Sequence, residues 1–285
     1  MVAEKKALIR EAFGDDHPTM AAWLIFEYSA ALNAANYGKA RALLMRARAI
    51  FTRVYGEDYI RTLQTLQFEA NCDYWENKSA VAAPTLRALI KKLEQSHNTD
   101  VLFAARVHSD LALVEHELKD PKKQAKIYPA KVQIEMDKAL ELARSAGPAG
   151  IRDVALLQVY DGQFHCDVAF EPGIYELREA YETLRHINDP RANWALAAYA
   201  ITLYENKRYS AALPLLERAL TNDNAKDLTP YNLGVIRFML AKNLAALKLD
   251  RARVRTFAGL AVQDYQRSGY PQKAREVEAF LKKQR

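Results

Sequence analysis

The chain has 285 residues, is 50% hydrophobic and carries a formal net charge of +6. It is long enough to bury a large core, and no run approaches the roughly 18 consecutive apolar residues of a membrane span. Cys72 and Cys166 lie far apart and outside any ligand-like cluster, so they read as buried helical thiols and not as a functional pair.

Taken in chain order, residues 1–10 form a mixed-charge amphipathic helix without the apolar stretch of a signal peptide. Gly14-Asp15-Asp16-His17-Pro18 ends that helix and opens the next, with proline in the first turn. Asn36 ends the second helix and Gly56-Glu57-Asp58 the third, which places Gly14 and Gly56 42 residues apart. Similar breaks fall near 77–79, 96–100, 119–121, 147–150, 171–173, 188–190, 206–208, 222–224, 249–250 and 269–271. Helical periodicity fills the intervals, predicting about fourteen helices: an N-terminal half-unit, six hairpins and a capping helix. Pro84 and Pro214 are expected in first helical turns, where proline costs little. Pro129 interrupts 122–145 and predicts a kink there, or two helices.

The chain also repeats itself. Tyr37-x-x-Ala40-x-x-x-Leu44-x-x-Ala47 recurs as Tyr209-x-x-Ala212-x-x-x-Leu216-x-x-Ala219, and Trp23, Tyr28, Ser29 and Leu32 correspond to Trp194, Tyr199, Ala200 and Leu203. Fixed-spacing self-similarity marks copies of one supersecondary unit. A pair of antiparallel helices cannot bury its apolar faces alone, so copies must stack. The alanines let helices cross closely, and the tyrosines and leucines are expected to fill the core between them.

These spacings resemble the tetratricopeptide repeat, whose second helix carries an aromatic residue, then Ala, a bulky residue and Ala. Phe13-Gly14-Asp15-Asp16-His17-Pro18, echoed at Tyr55-Gly56-Glu57-Asp58, resembles the 42-residue, kinesin-light-chain-like variant. The stretches 240–253 and 276–281 look like the C-terminal arrays of bacterial Ser/Thr kinases and winged-helix regulators. The resemblance implies an all-α, right-handed superhelical solenoid of antiparallel helix pairs over 1–285. N-terminal repeats would occupy 1–120, irregular elongated hairpins 121–190, C-terminal repeats 191–268 and a capping helix 270–285.

In this family the first helices of successive units line a concave groove. The candidate partner-binding positions are then Trp23, Phe26, Asn33, Tyr204, Phe238 and Lys242. Asn33 and Lys242 stand alone in distant units, a departure from the paired residues with which some members hold a peptide carboxylate. The expected function is a non-catalytic protein- or peptide-binding scaffold in bacterial signalling or complex assembly. The alternative is a ligand-sensing domain of a kinase or transcription regulator.

No catalytic or metal constellation emerges, and no cofactor is implied. His108 and His116 share a helix face but lack a second ligand pair, and His165-Cys166-Asp167 are neighbours pointing in different directions. His17 reads as a packing or capping residue. Residues 226–285 hold 13 Lys and Arg against 5 Asp and Glu, a basic cap suited to an acidic partner. It lacks the dense basic runs and interleaved aromatics of single-strand nucleic-acid binders. Pairing of an exposed apolar face with a second copy is a further reading. A complete chain of this kind belongs in the cytoplasm; one excised from a membrane-anchored protein could lie outside it.

Overall fold

The computed structural model describes residues 2–96, 100–118, 130–166, 169–221 and 228–284. Among them the regular structure is fourteen α-helices and one short 3-10 turn, without strands. The chain divides into two compact units, the first carrying the helices up to Ala146 and the second those from Gly147 onward. In the first unit α1 (Val2–Phe13) precedes three hairpins: α2 (Pro18–Asn33) with α3 (Tyr37–Tyr55), α4 (Ile60–Trp75) with α5 (Ser79–Gln95), and α6 (Val101–Glu117) with α7 (Ala130–Ser145). In the second, α8 (Ile151–Cys166) pairs with α9 (Phe170–His186), α10 (Ala192–Glu205) with α11 (Tyr209–Ala219), and α12 (Pro230–Ala246) with α13 (Arg251–Arg267). α14 (Pro271–Lys283) packs on α13. The first helices at Pro18, Ile60 and Val101 start 42 and 41 residues apart. Those at Ile151, Ala192, Pro230 and Pro271 follow at 41, 38 and 41.

Local chemistry sets these boundaries. The His17, Asn36, Asp100, Thr229 and Asp250 side chains accept backbone N–H bonds at the starts of α2, α3, α6, α12 and α13. Pro18, Pro230 and Pro271 occupy first-turn positions. Four of the hairpin turns share one closure: a residue with positive φ (Ala35, Asn77, Lys207, Lys248) follows the first helix. The next N–H then bonds back into it, as in Asn36 N to Ala31 O and Arg208 N to Leu203 O, both 2.9 Å.

Between paired helices the small residues lie where expected. Ala40, Ala47, Ala212 and Ala219 are fully buried beside Leu44 and Leu216. Two details differ from the sequence expectation. Tyr37 and Tyr209 are only half-buried. Their phenols need polar surroundings, and the Tyr37 hydroxyl donates to the Trp75 carbonyl of the next hairpin at 2.9 Å. Pro84 and Pro214 are each the sixth residue of their helix, not in the first turn. At that depth a proline removes an i→i−4 bond. Pro129 and the segment before it lie outside the described residues. The helices α7, α8 and α9 have ordinary lengths of 16, 16 and 17 residues.

Ion pairs join successive hairpins and seal the last one. Arg41 on α3 reaches Asp73 and Glu76 at the end of α4, at 2.5 and 2.6 Å. Arg237 on α12 meets Asp264 on α13 at 2.5 Å, where Asp264 is only 1% exposed. Burial pushes the Cys72 thiol up to about 11, so it behaves as an inert apolar group.

Candidate functional site

In the first unit, neighbouring first helices touch through side chains. Tyr28 of α2 stacks on Phe68 of α4, with centroids 5.2 Å apart, and Gln67 of α4 donates to Asp110 of α6 at 2.7 Å. Asp110 is held in a polar seam with Asn71 and Arg106. Burial raises its carboxyl to about 6 against the opposing pull of Gln67, Asn71 and Arg106. Three of the sequence-derived positions lie on α2. Trp23 is half-buried against Met20, Leu24 and Phe51, with its indole N–H enclosed. Phe26 is 57% exposed, its ring 5.2 Å from that of Trp23. Asn33 is exposed in the last turn. It does not join the aromatic pair, because it lies almost two turns beyond Phe26.

In the second unit the other three positions come together. Tyr204 lies in the last turn of α10, and Phe238 and Lys242 are one turn apart on α12. The Lys242 ammonium stands 4.4 Å from the Phe238 ring centroid and 6.0 Å from that of Tyr204. Phe238 is 6% exposed and rests edge-on against Phe280 of α14, so it forms the floor beneath the lysine and not an open contact surface. The Tyr204 ring also packs against that of Tyr209, with centroids 5.2 Å apart. Burial raises the Tyr204 phenol, which stays neutral and able to donate a hydrogen bond. The result is a half-buried cation on an aromatic platform. No described carboxylate pairs with it. Nearby cations are engaged otherwise: Arg237 holds Asp264, and Arg253 holds Glu217 at 2.5 Å.

The rest of the basic C-terminal segment is dispersed. Arg251, Arg255, Arg267 and Arg275 are exposed on α13 and α14, and Lys282 and Lys283 close the last turn of α14. His108 faces Glu135 across the α6–α7 hairpin at 2.6 Å, and His17 caps α2 through Thr19 N at 3.2 Å while stacking on Phe13. A shallow 490 Å³ recess opens along that same Gly14–Pro18 loop against Val54 and Tyr55.

One grouping escaped sequence reasoning. Asp161, His165 and Glu176 bring one potential ligand atom each to within 4.8 Å of one another. The Asp161–His165 spacing of four on a helix was a signal for it. The third member comes from α9, which only the packing of the hairpin supplies.

Among the described residues no helix is long and apolar enough to cross a membrane. No protein-family model and no curated protein matches the chain. Solved structures do. BtubC (BKLC) from P. vanneervenii is 17% identical, with a TM-score of 0.56 over 81% of this chain and 91% of that one. A Rap protein complexed with Competence and Sporulation Factor is 12% identical, with a TM-score of 0.63 over 93% and 76%. Aspartyl phosphate phosphatase F from Bacillus subtilis is 14% identical, with a TM-score of 0.53 over 93% and 70%. At such identities the likeness is one of architecture. Helical hairpins at 38- to 42-residue intervals, closed by alanine crossings, give this chain the tetratricopeptide-repeat fold.

Proposed function

We propose that the chain is a non-catalytic scaffold that binds a peptide or protein segment on the first-helix face, with the Tyr204–Phe238–Lys242 platform as anchor. The observation that carries this reading is the Lys242 ammonium, half-buried over two rings and without a carboxylate partner among the described residues. A half-buried cation of this kind favours an incoming carboxylate or other anionic group, and the rings hold its direction. The Tyr204 hydroxyl offers a hydrogen bond beside it, and the half-buried Tyr204 ring adds apolar contact area. The segment bound is therefore expected to carry an acidic group next to an apolar one.

A similar fold occurs in a Rap protein complexed with Competence and Sporulation Factor, which supports a bound partner as the ligand. Bacterial signalling is the setting this reading favours. Two of the histidines are engaged structurally: His17 caps a helix, and His108 bridges a hairpin.

The test is a peptide-display selection on the intact chain, followed by fluorescence anisotropy with the selected peptides. Lys242→Ala should weaken binding by about 1.5–3 kcal/mol, roughly 10- to 100-fold, as expected for loss of a charged hydrogen bond. Tyr204→Phe should weaken it less, and Asn33→Ala in the other unit should leave it unchanged. Selected peptides that bind the Lys242 and Tyr204 variants as well as the parent would refute the assignment.

A further inference from the structure

The α8–α9 hairpin is built unlike the others. Gly162 and Gly173 face each other where the helices cross, and a Cβ on Gly173 would lie 2.4 Å from the Gly162 carbonyl oxygen. Two glycines thus allow backbone contact, and that contact brings a side chain of α9 onto the polar edge of α8. Asp161 and His165 are one turn apart on α8 and share a face. Glu176, one turn beyond Gly173 on α9, projects to the same point.

His165 Nδ1 lies 2.9 Å from Glu176 Oε2 and 3.9 Å from Asp161 Oδ1. In a tetrahedral site with metal–ligand bonds of about 2.0–2.2 Å, ligand atoms stand about 3.4 Å apart. These two separations bracket that value and all three atoms lie within 4.8 Å of one another, so rotation of the carboxylates about their side-chain bonds would place them on one ion. Asp161 is buried at 5% exposure, which anchors the inner side. His165 and Glu176 retain about a quarter of their side-chain surface, 27% and 24%, leaving an outer side through which an ion and a completing water can enter.

We propose that Asp161, His165 and Glu176 bind a divalent transition-metal ion, Zn²⁺ being the best match, which clips α8 to α9. One imidazole with two carboxylates suits Zn²⁺ or Mn²⁺, whereas Mg²⁺ and Ca²⁺ select all-oxygen sets. The ligands come from two helices already held by the glycine contact, so little ordering is left for the ion to impose. An ion bound only by the folded hairpin also stabilises it by mass action.

The experiment uses the full chain, free of affinity tag and stripped with chelator, titrated with Zn²⁺ alone by isothermal calorimetry. Co²⁺ serves as a spectroscopic substitute, its visible absorption reporting an ordered nitrogen–oxygen site. The expected result is one saturable site per chain that raises Tm, with Mg²⁺ without effect. His165→Ala and Glu176→Gln should each lose at least about tenfold in affinity. His17→Ala should bind as the parent does. Should His165→Ala fail to fold, the near-isosteric Glu176→Gln decides, because it keeps the hairpin's shape. Absence of a saturable site, or variants that bind like the parent, overturns the assignment. The outcome is independent of peptide binding at Lys242, since no residue is shared.

Discussion

Replacing Gly173 with alanine isolates the contact that distinguishes the α8–α9 hairpin. The added Cβ would meet Gly162 O at 2.4 Å, Cys166 Sγ at 2.5 Å and Cys166 N at 2.6 Å, where ordinary contacts begin at 3.4 Å. Two of these atoms belong to backbone and cannot rotate away. Relief therefore requires the helices to separate by about 1 Å, a gap that forfeits a quarter to a half of each contact along the seam. Leu177 and Ala180, fully buried there, lose their packing. Overpacking typically costs about 1–3 kcal/mol, and this site belongs at the upper end. The better helix propensity of alanine returns at most about 1 kcal/mol, for a net loss of about 2 kcal/mol. Gly162→Ala should cost less, since its nearest atoms lie farther off, at 2.8 and 2.9 Å. Gly259→Ala, on α13 with nothing within 4 Å, should instead stabilise by about 0.5–1 kcal/mol. Urea unfolding followed by circular dichroism, with amide exchange in α8 as the local readout, gives the ranking. Equal midpoints for Gly173→Ala and Gly259→Ala would refute the argument from close approach.

Three further outcomes follow from particular side chains. Asp110 has a folded pKa of about 6, above its ordinary 3.8, because loss of hydration in the half-buried seam disfavours its charge. The folded state then holds more protons between those values, so its contribution is complete below about pH 4 and is lost as pH rises through 6. Asp110→Asn should stabilise the first unit at pH 7 by roughly 2 kcal/mol and flatten that slope, read from Tm between pH 4 and 7. Arg237→Met leaves Asp264 buried without its cation, and denaturation should reveal a loss of about 3–5 kcal/mol. Pro214→Ala restores an amide donor at the sixth position of α11 and should raise stability by about 1–2 kcal/mol, read as a shift in the urea midpoint.

Much of the fold was legible in the chain because it rests on local rules. Glycine, asparagine and proline mark the joints, and period-3.6 patterns fill the space between them. The Tyr-x-x-Ala-x-x-x-Leu-x-x-Ala copies specify alanine crossings that the structure buries completely at Ala40, Ala47, Ala212 and Ala219. Even so, the depth of Pro84 and Pro214 was not legible, since a helix start depends on which turn residue takes positive φ, and Asn77 and Lys207 do so here.

The candidate sites depended on contacts that no spacing encodes. Tyr204 and Lys242 are separated by 38 residues and meet only because α10 packs on α12. Phe238 was legible as a first-helix aromatic, but α14 covers it with Phe280 and turns it into a floor. His165 and Glu176 become neighbours because two glycines eleven residues apart remove the side chains that would hold their helices apart. Sequence by itself determined the hairpins and their order, since capping, turn closure and amphipathicity act within a few residues. Only tertiary packing decided which polar groups converge, because burial, charge and hydrogen bonding at a point depend on every helix that reaches it.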